Sequence, residues 1–210
     1  MKQQAGFTLV EIAIVLVIIG LLLGGVLKGQ ELIESAKVKN IAQDMRSISV
    51  AVLTYQDKYR ALPGDDTGAV ARWGNGTCQP GNGNGLIEGA WNGPNTTEAG
   101  CAWEHLRRAN LLTGDPLAPN PNPTNADAGI FGIVSQPAIA AVNDVTGNLI
   151  VCASNIRGRH VLPLDAMLDD GNTNTGTMRA RVGPSAAAAP SVAQSGPFDE
   201  NGTFFVCTGF

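Results

Sequence analysis

The side chains of this chain that could do chemistry fall into three sets. The first is a single carboxylate. Glu11 is the only charge in the run from Phe7 to Leu27. As a helix that run would extend ~31 Å, the thickness of a bilayer core. A carboxylate inside it costs about 2.5–3.5 kcal/mol on insertion scales, so a partner is expected. Cleavage after Gly6 would create one, a positively charged amine on Phe7, four residues from Glu11. The second set is four cysteines, at positions 78, 101, 152 and 207. The third is oxygen-bearing side chains in glycine-rich stretches: Asp65, Asp66, Asn82, Asn84 and Glu88, and a shorter group at Asp169-Asp170-Gly171-Asn172.

Hard oxygen donors of this kind suit calcium. Asn82, Asn84, Gly85 and Ile87 match the third, fifth, sixth and eighth positions of an EF-hand loop. Pro80 and Trp91 stand where its first and last ligands belong, so the loop fails as an EF-hand. An oxygen cage completed by Asp65, Asp66 and Glu88 is the alternative reading, beside the plain one that asparagine and glycine make turns. Zinc is disfavoured, because no CxxC pair exists and only two histidines occur. Neither His105 nor His160 sits in a catalytic motif, and the chain has no G-x-S-x-G or P-loop pattern. His105, with Arg107 and Arg108 nearby, reads as part of a solvated helix face.

The elements that must position these groups begin with one long helix. No proline precedes Pro63. Past the apolar run, Ile41, Met45, Ile48, Val52, Tyr55, Tyr59 and Leu62 follow alternating steps of four and three, one face of a helix. The spacing predicts a helix from Phe7 to Leu62, ~84 Å long, stopped by Pro63-Gly64. Its first half is apolar all round and needs lipid or other helices. Its second half needs a domain against its stripe, or a second helix in a coiled coil. Gly20, Gly24, Gly25 and Gly29 permit either close helix packing or local melting.

The remainder is turn-rich. Glycine (26) and proline (12) exceed a sixth of the chain, which points to short strands and loops rather than a bundle. The pattern predicts a short helix from Ala102 to Leu112, with Thr96 or Thr97 leading into its first turn. It predicts strands at 130–134, 148–152, 177–182 and 203–207, a helical turn at 164–168, and a low-complexity surface loop at 184–197. Residues 1–62 carry seven basic and five acidic side chains; the rest carry seven arginines and thirteen acidic ones. An acidic head argues against nucleic-acid binding.

Residues Gly6-Phe7-Thr8-Leu9-Val10-Glu11-Ile12, preceded by Lys2-Gln3-Gln4-Ala5, reverse the order of a secretory signal peptide, because the cut would precede the apolar core. This stretch resembles the cleavage and methylation signal of bacterial type IV pilins and type II secretion pseudopilins. Leu62-Pro63-Gly64-Asp65-Asp66, the Gly81–Gly85 loop, Trp103-Glu104-His105-Leu106 and Leu168-Asp169-Asp170-Gly171 are similar to a large group of prepilin-like bacterial proteins. The resemblance implies an α+β, pilin-like fold: a long N-terminal helix, transmembrane in its first half, packed through its amphipathic half on a small antiparallel sheet. It implies a leader at 1–6, a membrane or filament-core helix at 7–27, an amphipathic helix at 28–62, and a periplasmic or extracellular head at 63–210.

The same resemblance implies roles. A membrane-embedded prepilin peptidase would cut after Gly6, and Phe7 would be N-methylated. Glu11 would meet the Phe7 amine of a neighbouring copy during assembly. The subunit would wait in the inner membrane with its head outside, and its partners would be other pilins and the pilus or secretion machinery. An exported head lies in an oxidising place, so two disulfides are expected. Four cysteines allow three connectivities. Cys78–Cys101 and Cys152–Cys207 are favoured, the first closing a glycine-rich loop and the second joining two apolar runs; the second also resembles the closing bridge of many pilins. The leading reading is a structural pilin and not an enzyme. Its alternatives are a secretion pseudopilin or minor tip pilin and, in another class, a membrane-anchored periplasmic enzyme or binding protein.

Overall fold

The computed structural model describes residues 8–74, 76, 78–79, 81–135, 144–183 and 198–210. The expected surface loop at 184–197 and the leader at 1–6 lie outside them. The chain divides into two compact units, residues 1–37 and 38–210.

Helix α1 is continuous over Leu9–Tyr59. In the first unit every leucine, isoleucine and valine from Leu9 to Leu27 is exposed, Leu9 to 91 %. No face of this segment is covered by protein, as expected where lipid or other helices must solvate it. The helix passes through Gly20, Gly24, Gly25 and Gly29, and the space above each is open. Among the described residues α1 is the one helix long and apolar enough to cross a membrane.

In the second unit the stripe is buried as its spacing predicts. Ile41, Met45, Val52 and Tyr55 are fully covered and Ile48 nearly so. Each such side chain contributes about 1.5–3 kcal/mol relative to exposure. The helix ends at Tyr59 rather than Leu62, because Arg60 takes a left-handed conformation with φ 58°. That geometry commonly closes helices. Tyr59 and Leu62 still pack on the core, partly buried.

Four antiparallel strands form one sheet: β1 (Phe131–Ser135), β2 (Leu149–Arg157), β3 (Met178–Val182) and β4 (Thr203–Gly209), in the order β1-β2-β4-β3. Alternation sorts their side chains. Ile133, Val151, Ala153, Phe204 and Val206 join the α1 stripe in one core. Val134, Ile150, Cys152, Phe205 and Cys207 face the other way and meet Trp91 and Val145. β2 runs five residues beyond the expected strand end, through an irregularity between Ala153 and Ile156 where Asn155 has φ 57°. The polar pair Ser154-Asn155 had hidden this continuation.

Three further helices complete the head. α2 (Ala69–Trp73) is a single turn with no sequence forewarning. α3 (Glu98–Arg108) begins four residues before the expected start, because Thr97 caps it by accepting the Gly100 N–H at 3.3 Å. α4 (Gly158–Leu168) is a full helix where only a turn at 164–168 was expected. Gly158 and Pro163 read as breakers, yet buried Val161 and Leu164 hold the helix to the core.

Candidate functional site

The first candidate lies at the start of α1. Gly6 and Phe7 lie outside the described residues. Thr8 precedes the helix, and its hydroxyl accepts the Glu11 N–H at 3.3 Å. Glu11 reaches back to Thr8, a capping box in which each satisfies a donor of the other. The acidic side chain thus sits at the positive end of the helix dipole.

The second candidate is where α1 ends. Tyr55 donates from its hydroxyl to Asp66 Oδ2 at 2.6 Å, and the Arg72 guanidinium pairs with the same oxygen. Asp66 Oδ1 accepts the Gly68 N–H at 2.8 Å. Arg72 also lies over the rings of Tyr59 and Trp73, at 4.5 and 5.0 Å. The Tyr55 and His105 rings stack at 6.1 Å. His105 accepts the Gly64 N–H on Nδ1 at 2.9 Å, which requires that nitrogen to be unprotonated. Gly64 itself has φ 90°, and a Cβ there would stand 2.1 Å from the Glu98 carbonyl oxygen.

His105 is only 3 % exposed, so it is not on a solvated face. The flanking arginines misled, because residues 99–106 of α3 are all buried. Burial pushes the His105 imidazole down to about 4; Glu104 opposes this, while Arg72 and Arg108 add to it. Burial likewise raises the Tyr55 hydroxyl well above its usual range.

Of the residues expected to hold calcium, Asp65, Asn82, Asn84 and Glu88 share one loop network, and Asp66 bonds elsewhere. Asp65 accepts the N–H groups of Gly83, Asn84 and Gly85 at 2.5, 3.2 and 2.7 Å. Asn84 Oδ1 accepts from Leu86 N–H at 2.9 Å, and Glu88 Oε2 from Asn82 Nδ2 at 2.7 Å. Glu98 gathers the Asn82 and Glu88 N–H groups. Asp66 turns instead to Tyr55 and Arg72, so the structure does not join it to the others by a hydrogen bond. The motifs at 62–66, 81–85 and 103–106 therefore converge as mutual loop anchors.

Cys78 is bonded to Cys101 on α3, and Cys152 to Cys207 across β2 and β4, where they are direct register partners. Two further acidic groups come from the structure: one had no sequence signal as a site, and the other adds Asp165 to the expected Asp169-Asp170 stretch. Asp127 and His160 pair at 2.7 Å between Oδ2 and Nδ1, with both side chains enclosed. Asp165, Asp169 and Asp170 meet at the end of α4. Burial pushes the Asp165 carboxyl up to about 6, and the charges of Asp169 and Asp170 add to the rise.

No curated protein and no solved structure matches the chain. Residues 1–27 match the family model described as the prokaryotic N-terminal methylation motif. That stretch holds the apolar start of α1, and the second unit has an α+β fold; the chain carries the signal of the type IV pilins and pseudopilins.

Proposed function

We propose that this protein is a structural subunit of a type IV pilus or pilus-like filament. The observation that carries the reading is the match of residues 1–27 to the methylation motif, in which residues 9–27 form a helix exposed on every side. Prepilin peptidase cuts after Gly6, and the new Phe7 amine is methylated. The apolar helix holds the subunit in the inner membrane with the head outside. On assembly, lipid around that helix is exchanged for the helices of other subunits, so its side chains stay out of water. Glu11 leaves an environment costly to a lone carboxylate by meeting the Phe7 amine of a neighbour.

The head supports a structural role. Its polar groups Tyr55-Asp66-Arg72, His105-Gly64 and Asp127-His160 make contacts within the fold. Mass spectrometry of the mature chain tests the reading. N-methyl-Phe7 at the terminus is the expected result, and a mature protein that retains Met1 would overturn it.

A further inference from the structure

We propose that Asp165, Asp169 and Asp170 form a binding site for a calcium ion at the junction of α4 and the turn leading to β3. One oxygen from each carboxyl lies within 4.8 Å of one from each of the other two. Calcium–oxygen distances are about 2.3–2.6 Å, so opposite ligands of one ion stand up to ~5 Å apart. The three oxygens therefore fit around a single cation.

A second observation points to a ligand. Asp165 is fully buried, at 0 % exposure, and its Oδ2 has no hydrogen-bond donor. An unpartnered carboxylate oxygen away from water is costly. The other oxygen, Oδ1, accepts the Gly171 N–H at 2.6 Å, which fixes the carboxyl in place. The remaining members are fixed too. Asp169 Oδ2 accepts from the Thr177 and Met178 N–H groups. Asp170 accepts the Asn172 N–H at 2.8 Å and the Thr175 hydroxyl at 2.5 Å. A carboxylate has about four lone-pair sites, so each retains acceptor capacity.

The charge around the cluster argues the same way. Arg179 is the basic side chain whose field reaches Asp170. Its guanidinium donates to the Thr175 and Met178 carbonyls and approaches Asp144 at 3.8 Å. Among the described residues no salt bridge reaches any of the three aspartates. Hard carboxylate oxygens in an irregular turn suit calcium better than magnesium, which demands near-ideal octahedral geometry.

The test is equilibrium dialysis of the full-length chain in detergent, stripped with chelator, against radioactive calcium up to about 1 mM, the weak end of extracellular calcium modules. The expected result is saturable uptake of one ion per chain, weakened about tenfold or more by Asp165→Asn and by Asp170→Asn. Glu88→Gln, in the other acidic loop, is expected to leave it unchanged. Asp170 is exposed, so its variant reports even if Asp165→Asn does not fold. Absence of saturable uptake by the native chain would overturn the proposal. So would uptake that Asp170→Asn leaves intact, or uptake lost in Glu88→Gln.

Discussion

Thr8 and Glu11 hold one another across the first turn of α1: Glu11 Oε2 accepts from the Thr8 N–H at 2.8 Å and from its hydroxyl at 2.7 Å. The carboxylate proposed for assembly thus has a partner within its own subunit. The two uses of Glu11, cap and charge, can be separated by substitution.

Glu11→Gln keeps an acceptor for Thr8 and removes the charge. If pairing with a neighbour's amine drives assembly, Glu11→Gln and Glu11→Ala both lower filament yield by about tenfold or more, the effect of roughly 1.4 kcal/mol per contact. Thr8→Ala, which loses only the cap, costs about 1 kcal/mol of local helix stability. Sheared-filament yield measures the effect. Full yield from Glu11→Gln would remove the charge from the mechanism.

His105 predicts a pH dependence of head stability. Its folded pKa, about 4, lies below the ordinary histidine value of 6.5, so the unfolded chain binds the extra proton between those values. Stability from this group is complete above pH ~6.5 and falls as pH drops toward ~4. The loss is about 3 kcal/mol in all, at 1.36 kcal/mol per unit. His105→Gln should flatten that window. All three tryptophans, at 73, 91 and 103, lie in the head, so denaturation followed by their fluorescence reads it directly.

The two disulfides should differ in weight. Cys152–Cys207 closes 55 residues and Cys78–Cys101 closes 23. On the chain-entropy model, removing them by paired serine substitution costs about 4 and about 3 kcal/mol respectively. Urea midpoints of the two double variants, unreduced, check the order.

Asp65→Ala should destabilise the head by about 2–4 kcal/mol, because three loop N–H groups lose their acceptor together. Asp65→Asn keeps one acceptor oxygen and should lose less. Tyr55→Phe removes one donor from Asp66 while Arg72 and Gly68 remain, for about 1 kcal/mol. Thermal unfolding in detergent measures each.

The helix was legible because its signal is local and repeated: the steps from Ile41 to Tyr55 each place a side chain on one face. Strand positions were legible from short apolar runs. Their ends were not, since β2 continues through Ser154 and Asn155 by virtue of partners 20 to 30 residues away, such as Ile130 and Asn125. The site residues divided the same way. Cysteines announced themselves by type. Asp65 and Asp66 stood out as oxygen donors, but adjacent aspartates serve different partners, one the Gly83–Gly85 amides and the other Tyr55 and Arg72. Asp165 gave no signal, because a lone aspartate in a helix usually meets water; only the turn of the chain after Leu168 brings Asp169 and Asp170 to it.

The strand order has a consequence in time. β4 follows the other strands in the chain yet lies between β2 and β3 in the sheet. Until Thr203–Gly209 emerges from a ribosome or a translocation channel, β3 has no neighbour to pair with and β1-β2 is only a hairpin. Cys152 must wait equally long for Cys207. The sheet therefore closes late, when α1 has long since been made. Until that final strand arrives, the facing edges of β2 and β3 stand open to pairing with other chains, so the last seven-residue strand decides whether the sheet closes on itself.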